Sequence, residues 1–322
     1  MTDSFDGNYK FLGDVDELKF FFDNVLPDLS GDALHSYLMC ITVRPKKLTK
    51  EEREEYGVSG SDGVMMREEI IAPRGPQKVW NFDNFVSHIY KYECPKRGMI
   101  TKNGFPYPEK ALAVMIYAEP ANEAKVGNYI LQYGNTISKE LVESASRLLL
   151  NGKSDGIQAQ MEKLAHISKK IKSCHAECAE PTFIHFDFDI RKDLVDNEDA
   201  FKDALHSIRT VGNLLFGKGN VVIIRTKGGF HTLVKRTSIK SAADYLKSLS
   251  KEELENEYGL KGGMNPLSAF VNSVQENYYY TFEETAYDKI LMHQAFVPVP
   301  GCIHYGDFIV RVENKSDLEK GN

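Results

Sequence analysis

Two aspartates one residue apart, in Phe183-Ile-His-Phe-Asp187-Phe-Asp189-Ile190, carry the strongest chemical signal in the chain. The run around them is apolar and aromatic, which predicts a buried strand over Phe183–Ile190. In a strand, residues i and i+2 project from the same face. Two carboxylates held that close do not both ionise without a compensating cation. Mg²⁺ or Mn²⁺ suits such hard oxygen ligands. Two ions held this way can stabilise the attacking and leaving oxygens of phosphoryl transfer. The same short pattern also occurs as two solvated acids at a strand end, so it needs support from elsewhere.

Arg225-Thr-Lys-Gly-Gly-Phe-His231 offers that support. Gly228 and Gly229 let a ligand approach the backbone and bare amide donors. Lys227 and His231 beside them suit an anion such as a triphosphate, although an ordinary hairpin with a satisfied histidine has the same residues. Farther on, a third carboxylate would complete a metal site, with Asp288 the first choice and Asp307 the second. Arg311 can fork onto phosphate oxygens, or it can be an exposed strand arginine. Cys174-His175-Ala-Glu-Cys178 resembles half of a zinc site, but Cys94 and His166 supply no second ligand pair, and structural zinc is not expected. Lys169-Lys170-Ile-Lys172 is read as a solvated helix face rather than a nucleic-acid contact. Tyr278-Tyr279-Tyr280 is read as packing rather than base stacking.

These residues need elements to hold them. Strands are expected over Leu38–Arg44, Ala111–Tyr117, Phe183–Ile190, Val221–Arg225, Phe230–Lys235 and Ala295–Val299. Gly228-Gly229 marks the hairpin turn. Helices are expected over Trp80–Tyr92, Lys139–Leu150, Gly156–Lys172, Asp196–Phe216 and Ser241–Leu249, the fourth led by Asp196 and Asp199 at the positive end of its dipole. Lys46–Arg74 and Glu93–Glu109, rich in charge, Gly and Pro, read as surface loops or insertions. From Phe183 the order is β-α-β-β-α-β, with further helical material before the last strand. That is the ferredoxin-like (RRM-like) split βαβ arrangement, with a mostly antiparallel sheet and helices on one face. The fold class is therefore α+β, such a core preceded by an α/β lobe. The boundaries are an N-terminal lobe over 1–180, a core over 181–315 and a tail over 316–322.

Composition narrows the setting. The chain has 322 residues, 42% hydrophobic and 27% charged, the profile of a globular protein. No apolar run approaches the length of a membrane span, so no membrane partner is expected. The polar, acidic start does not resemble a secretory signal. Five scattered cysteines fit a reducing cytoplasm. A formal net charge of −6 means that any nucleic-acid contact must come from a local basic channel.

Three blocks in this order resemble the archaeo-eukaryotic primase superfamily, the primase-polymerases. Phe186-Asp187-Phe188-Asp189 is similar to the family's paired-acid motif. Gly229-Phe230-His231 is similar to its small-x-His motif, with Gly where Ser is frequent. Asp288, followed by Pro300-Gly301 and Gly306, is similar to its third-acid segment. Ser36–Pro45 and Val114–Pro120 look like the early strands of that catalytic module, so the likeness covers roughly residues 10–315. It implies template-dependent nucleotidyl transfer on a DNA or RNA template and primer. A 3′-hydroxyl attacks the α-phosphate of an incoming NTP or dNTP, and pyrophosphate leaves. Asp187, Asp189 and Asp288 would hold two Mg²⁺ or Mn²⁺ ions; Gly229 and His231 would contact the nucleotide, with help from Lys235 and Arg311. It also implies that the two lobes form one catalytic module, the first contributing to template binding. No Gly-x-x-x-x-Gly-Lys-Ser/Thr loop is present. A helicase, or another replication, repair or defence protein, would then be a separate chain or a further region. The alternatives are a DxD metal-dependent phosphohydrolase and a catalytically silent nucleic-acid-binding module on the same fold.

Overall fold

The computed structural model describes residues 9–32, 34–58, 64–74, 77–93, 99, 101, 104, 106–151, 174–175, 177–258, 265–278, 287–293 and 296–319. It is an α+β protein in which every strand pairing among these residues is antiparallel. Among the described residues no helix is long and apolar enough to cross a membrane.

The first half opens with helix α1 (Val15–Asn24), capped by the Asp14 carboxylate, which accepts from the Glu17 amide. The strands β1 (His35–Val43), β2 (Val64–Ile71), β3 (Leu112–Tyr117) and β4 (Ala121–Asn122) follow, with helices α2 (Lys50–Tyr56) and α3 (Phe82–Glu93) between them. Then comes the 29-residue helix α4 (Glu123–Asn151). Lys46–Arg74 is thus not an irregular loop. It holds a 3-10 turn at Pro45–Lys47, α2 and the edge strand β2. α2 is polar all round and reads as loop by periodicity, yet Thr49 and Glu52 form a capping box that starts it. α4 starts sixteen residues before the expected Lys139: Val126, Ile130, Tyr133 and Ile137 recur there at helical spacing, but Gly127 and Gly134 interrupt the pattern. The helix expected over 156–172, with Lys169, Lys170, Lys172 and His166, lies outside the described residues, as do Cys94 and Tyr279–Tyr280.

The second half is the better-anticipated one. Strand β5 (Phe183–Ile190) has the expected bounds. It is followed by helix α5 (Glu198–Phe216), strands β6 (Val221–Thr226) and β7 (Gly229–Lys235), and helices α6 (Ile239–Ser248), α7 (Lys251–Tyr258) and α8 (Pro266–Tyr278). Asn197, not Asp196, caps α5 by accepting from the amides of Asp199 and Ala200. The chain then forms β8 (Tyr287–His293), β9 (Phe296–Pro298), β10 (Ile303–His304), β11 (Phe308–Ile309), β12 (Arg311–Val312) and the short helix α9 (Lys315–Leu318).

One sheet runs β2-β1-β3-β9 and the other β12-β6-β7-β5-β8. The strand expected over Ala295–Val299 does form, as β9, but it pairs with β3 of the first sheet. β8 takes the place beside β5 instead. The two charges at its start, Asp288 and Lys289, hide its strand character in the sequence. Residues 181–315 therefore do not all belong to the second sheet, since β9 joins the first and β10 and β11 pair only with each other.

The two faces of β5 differ. Ile184, Phe186, Phe188 and Ile190 pack under α5, α6 and α8, where Phe270 meets Phe186, Phe188 and Phe216 edge-on at 5.2–5.9 Å. Such pairs contribute about 0.5–1.5 kcal/mol each beyond area burial. On the opposite face, Phe183 joins Leu233, Val222, Ile224 and Val312 in a core shared with α1, α3 and the first sheet. That face turns polar along the strand, through His185, Asp187 and Asp189. The apolar end is thus clamped between the two sheets, and the polar end is left for chemistry.

Asp317 and Leu318, beyond residue 315, also pack onto the core. Asp317 is buried and accepts a forked pair from Arg209, Nε at 2.6 Å and Nη2 at 2.8 Å, plus Asn213 Nδ2 at 3.2 Å. Arg209, then Asn213, holds the Asp317 carboxyl below the ordinary aspartate range despite its burial. A depressed carboxylate contributes stability that is present above the unfolded-state pKa and lost as pH falls through the folded one. Asp317→Asn is accordingly expected to lower stability at pH 7 by about 1–2 kcal/mol. The gap should narrow as pH drops below the ordinary aspartate value, measured by urea unfolding at several pH values. A gap that widens on acidification contradicts this account.

Candidate active site

The register of β5 against β7 sets the site. Asp187 pairs with His231, and Asp189 with Gly229. Directly opposed residues in an antiparallel pair share a face, so Asp187, Asp189 and His231 project together from the face away from the helices. Asp189 is exposed and Asp187 half-buried, while His231 is 9% exposed. His231 Nε2 lies 3.8 Å from Asp187 Oδ1. The hairpin turn is Lys227-Gly228, and the Ile190 amide donates to the Gly228 carbonyl at 2.9 Å. At Gly229 a Cβ would overlap the Phe188 carbonyl oxygen and crowd Asp189 Cα, so only glycine lets β7 run this close to β5.

A cavity of about 110 Å³ opens over this face. Its floor holds Asp187, Asp189, His231, Thr226 and Gly228, and its opposite wall comes from the first sheet. Arg44, Lys46 and Lys47, in the turn after β1, line that wall, and His304 and Tyr305 close one side. Burial, then repulsion from Lys46, Lys227 and Arg44, lowers the pKa of Lys47. Lys47 Nζ sits 4.6 Å over the Tyr305 ring. Tyr305 stacks on His304 at 3.8 Å and holds a left-handed backbone, φ 55°. Burial, with Asp187 and Asp189 nearby, raises the pKa of its phenol. His304 is buried, and neither ring nitrogen has a hydrogen-bond partner among the described residues. Burial, then His231, Arg44 and Lys47, pushes its pKa well below the usual histidine range, so the imidazole is neutral. Beside the floor, on the same strand face, His185 is buried with its Nε2 2.8 Å from His231 Nδ1.

The other candidates fall in different places. The Asp288 backbone lies in β8 at a bulge, where the pairing with β5 slips between Asp189↔Lys289 and Ile190↔Tyr287. Asp307, in the β10–β11 turn, is 66% exposed and ion-paired to Lys227 at 2.7 Å. Lys235 is on the same face as His231 but four residues along, about 13 Å at strand rise. It lines a separate cavity of about 410 Å³ with Trp80 and the end of α1. Arg311 pairs with Arg225, which pairs with Phe230 and through it with Phe188. That register puts Arg311 on the helix face of the sheet, opposite to the two acids, so sharing a segment with Asp288 does not bring it to them. The structure thus brings together Asp187, Asp189, Gly229 and His231 and leaves Lys235 and Arg311 apart.

Cys174, His175 and Cys178 sit at the Ala121–Val126 corner. His175 Nε2 is 3.0 Å from Ser36 Oγ, and burial lowers its pKa to about 4. Among the described residues no group of three or more His, Cys, Asp or Glu side chains is placed to hold a metal ion. The donors that fit a hard cation are the two carboxylates of β5.

Arg44, Lys46, Lys47, His185, His304 and Tyr305 were missed as site residues. A signal existed for the first three: a basic Arg-Pro-Lys-Lys run directly after a buried strand. No local signal marks His304, which reaches the site only through the docking of β10 on the first sheet. No family model, curated protein or solved structure matches the chain.

Proposed function

We propose that this chain is a metal-dependent nucleotidyltransferase of the primase-polymerase type, extending or starting a DNA or RNA strand on a template. One observation carries the reading. Asp187 and Asp189 lie beside His231 on one sheet face, and three basic residues of the other lobe face them across a single cavity. The connectivity supports it as well: β5-α5-β6-β7-helices-β8, in the sheet order β6-β7-β5-β8 with helices on one face, is compatible with a ferredoxin-like, RRM-like core.

Asp187 and Asp189, with Asp288 as the third acid, would hold two divalent ions, which supply the charge compensation that phosphoryl transfer needs. The residues of the chain have the remaining tasks. The Gly228-Gly229 backbone leaves room for a phosphate against the turn. His231 offers a ring nitrogen to a phosphate oxygen beside Asp187. Arg44, Lys46 and Lys47 attract a polyanion and favour the charge that accumulates on departing pyrophosphate. The 3′-hydroxyl oxygen forms the new bond to the α-phosphorus as the bond to pyrophosphate breaks, and the hydroxyl proton passes to solvent.

Primer extension with purified protein, Mn²⁺ and labelled nucleotides tests the reading. The wild type should extend a primer, and Asp187→Ala combined with Asp189→Ala should not. Equal activity in the two proteins overturns it. Phosphate released from small esters with no polymer made would favour a phosphohydrolase.

A further inference from the structure

The Lys47 ammonium lies 4.6 Å from the centroid of the Tyr305 ring. Both residues line the cavity that holds Asp187 and Asp189. They come from segments far apart in the chain, and the start of β3 brings them together. The Arg44 amide donates to the Ala111 carbonyl at 2.8 Å, and the Tyr305 amide donates to the next carbonyl, that of Leu112, at 2.9 Å. The Lys47 amide closes the 3-10 turn onto the Arg44 carbonyl at 3.0 Å. The Tyr305 ring is itself held: His304 stacks on it at 3.8 Å, and it packs against Cys40, Ala113 and Met115 of the first sheet. Three non-glycine residues among the described ones have a left-handed backbone, Arg67, Lys78 and Tyr305, and of these only Tyr305 lines the cavity. That conformation is unfavourable for a residue with a Cβ, and at a candidate site such an outlier points to a task for the side chain.

A lysine ammonium on its flexible stem samples many positions unless something holds it. A carboxylate can hold it, but neutralises it as well: Lys227 is tied in this way to Asp307. Among the described residues no carboxylate forms an ion pair with Lys47. An aromatic face attracts a cation through its quadrupole and leaves the net charge intact. We propose that Tyr305 is a positioning residue that holds the Lys47 ammonium, still carrying its charge, at the cavity for a phosphate group of the substrate. The placement stands on the contacts of Lys47, Tyr305 and His304; its use, on the triphosphate or the departing pyrophosphate, rests on the nucleotidyl-transfer reading.

Two measurements on the full chain test it. In protein labelled with ¹³C-lysine, the Lys47 Hε signals, identified by their loss in Lys47→Arg, should be shifted upfield by the Tyr305 ring current. Tyr305→Phe should keep that shift, and Tyr305→Leu, which keeps an apolar side chain without the ring, should abolish it. Calorimetric titration with inorganic tripolyphosphate and Mg²⁺ reads the use of the cation. Tyr305→Leu should weaken binding on the order of 10-fold, with Tyr305→Phe within about twofold of wild type. In a Lys47→Met background, Tyr305→Leu should cost nothing further, because both act through one ammonium. A wild-type spectrum with no upfield Lys47 signal overturns the placement, whatever the stability of the variants. Equal weakening by Leu and Phe, or a Tyr305→Leu cost that persists without Lys47, overturns the role in binding, as does a wild type that binds no tripolyphosphate. A wild type that binds tripolyphosphate but extends no primer leaves the inference standing and removes the nucleotidyl-transfer reading.

Discussion

Asp187→Asn and Asp189→Asn are each expected to lose on the order of 10³-fold in primer extension, about 4 kcal/mol of transition-state stabilisation, with no loss of thermal stability. The two halves of the expectation have one cause. Asn keeps the shape of Asp and its capacity to accept hydrogen bonds, and it removes one of two like charges on the same strand face. Asp189 is exposed and Asp187 half-buried, and they are neighbours on one strand face, so they repel each other whenever both are ionised. The cations across the cavity offset this only in part. Lys47 is perturbed chiefly by burial and by Lys46, Lys227 and Arg44, the acid that most affects it being Asp307. Relief of repulsion between partly exposed charges is worth at most about 1 kcal/mol, so Tm should stay level or rise by a few degrees at most. Catalytic groups typically show this trade, activity lost where stability is kept. Scanning calorimetry and single-turnover extension on the same samples check both halves. A variant that extends primers within tenfold of wild type, or that melts several degrees lower, shows that the carboxylate serves the fold and not the reaction.

What could be read in the sequence was whatever depends on short-range periodicity. β5 has its expected bounds because its even positions are all apolar and its odd positions turn polar, and Gly228-Gly229 announced the hairpin. From these the meeting of Asp187 with His231 follows. The other side of the site was hidden because it depends on pairing between distant segments. Lys46 and Lys47 lie about 140 residues before Asp187 in a segment too charged to suggest structure, and they reach it because β1 pairs with β3 and β3 with β9. Arg311 illustrates the opposite error. It has the chemistry of a phosphate ligand, but the Val312↔Ile224 pairing sends Val312 to the inter-sheet core and Arg311 to the other face. Moving the register by one residue would reverse that assignment, and no local sequence property sets it.

Gly229→Ala is expected to be the most damaging single methyl in the second sheet, costing about 3 kcal/mol of stability, the upper end for overpacking. Its neighbour Gly228→Ala should cost under about 1 kcal/mol, the size of an ordinary turn substitution. The contrast lies in what each added carbon meets. At Gly228 nothing stands within 4 Å, whereas at Gly229 the new Cβ overlaps the Phe188 carbonyl oxygen and lies 3.2 Å from Asp189 Cα. Those are backbone atoms of a central strand paired on both sides, by β7 and by β8, so they cannot swing away as a side-chain tip would. Relief must come from parting β5 and β7 at the Asp189↔Gly229 pair, two positions from Asp187↔His231. Displacement of His231 from Asp187 by about 1 Å would cost on the order of 10²-fold in rate, so the loss of activity should exceed what the unfolded fraction explains. Urea midpoints with primer extension at matched folded fraction make the comparison. Equal midpoint shifts for the two alanines would show that the strands accommodate the methyl. Serine carries the same Cβ as alanine. Gly229→Ser should therefore fail here, although serine is frequent at this place in the family the motif resembles, and glycine at 229 belongs to the close strand spacing of this chain.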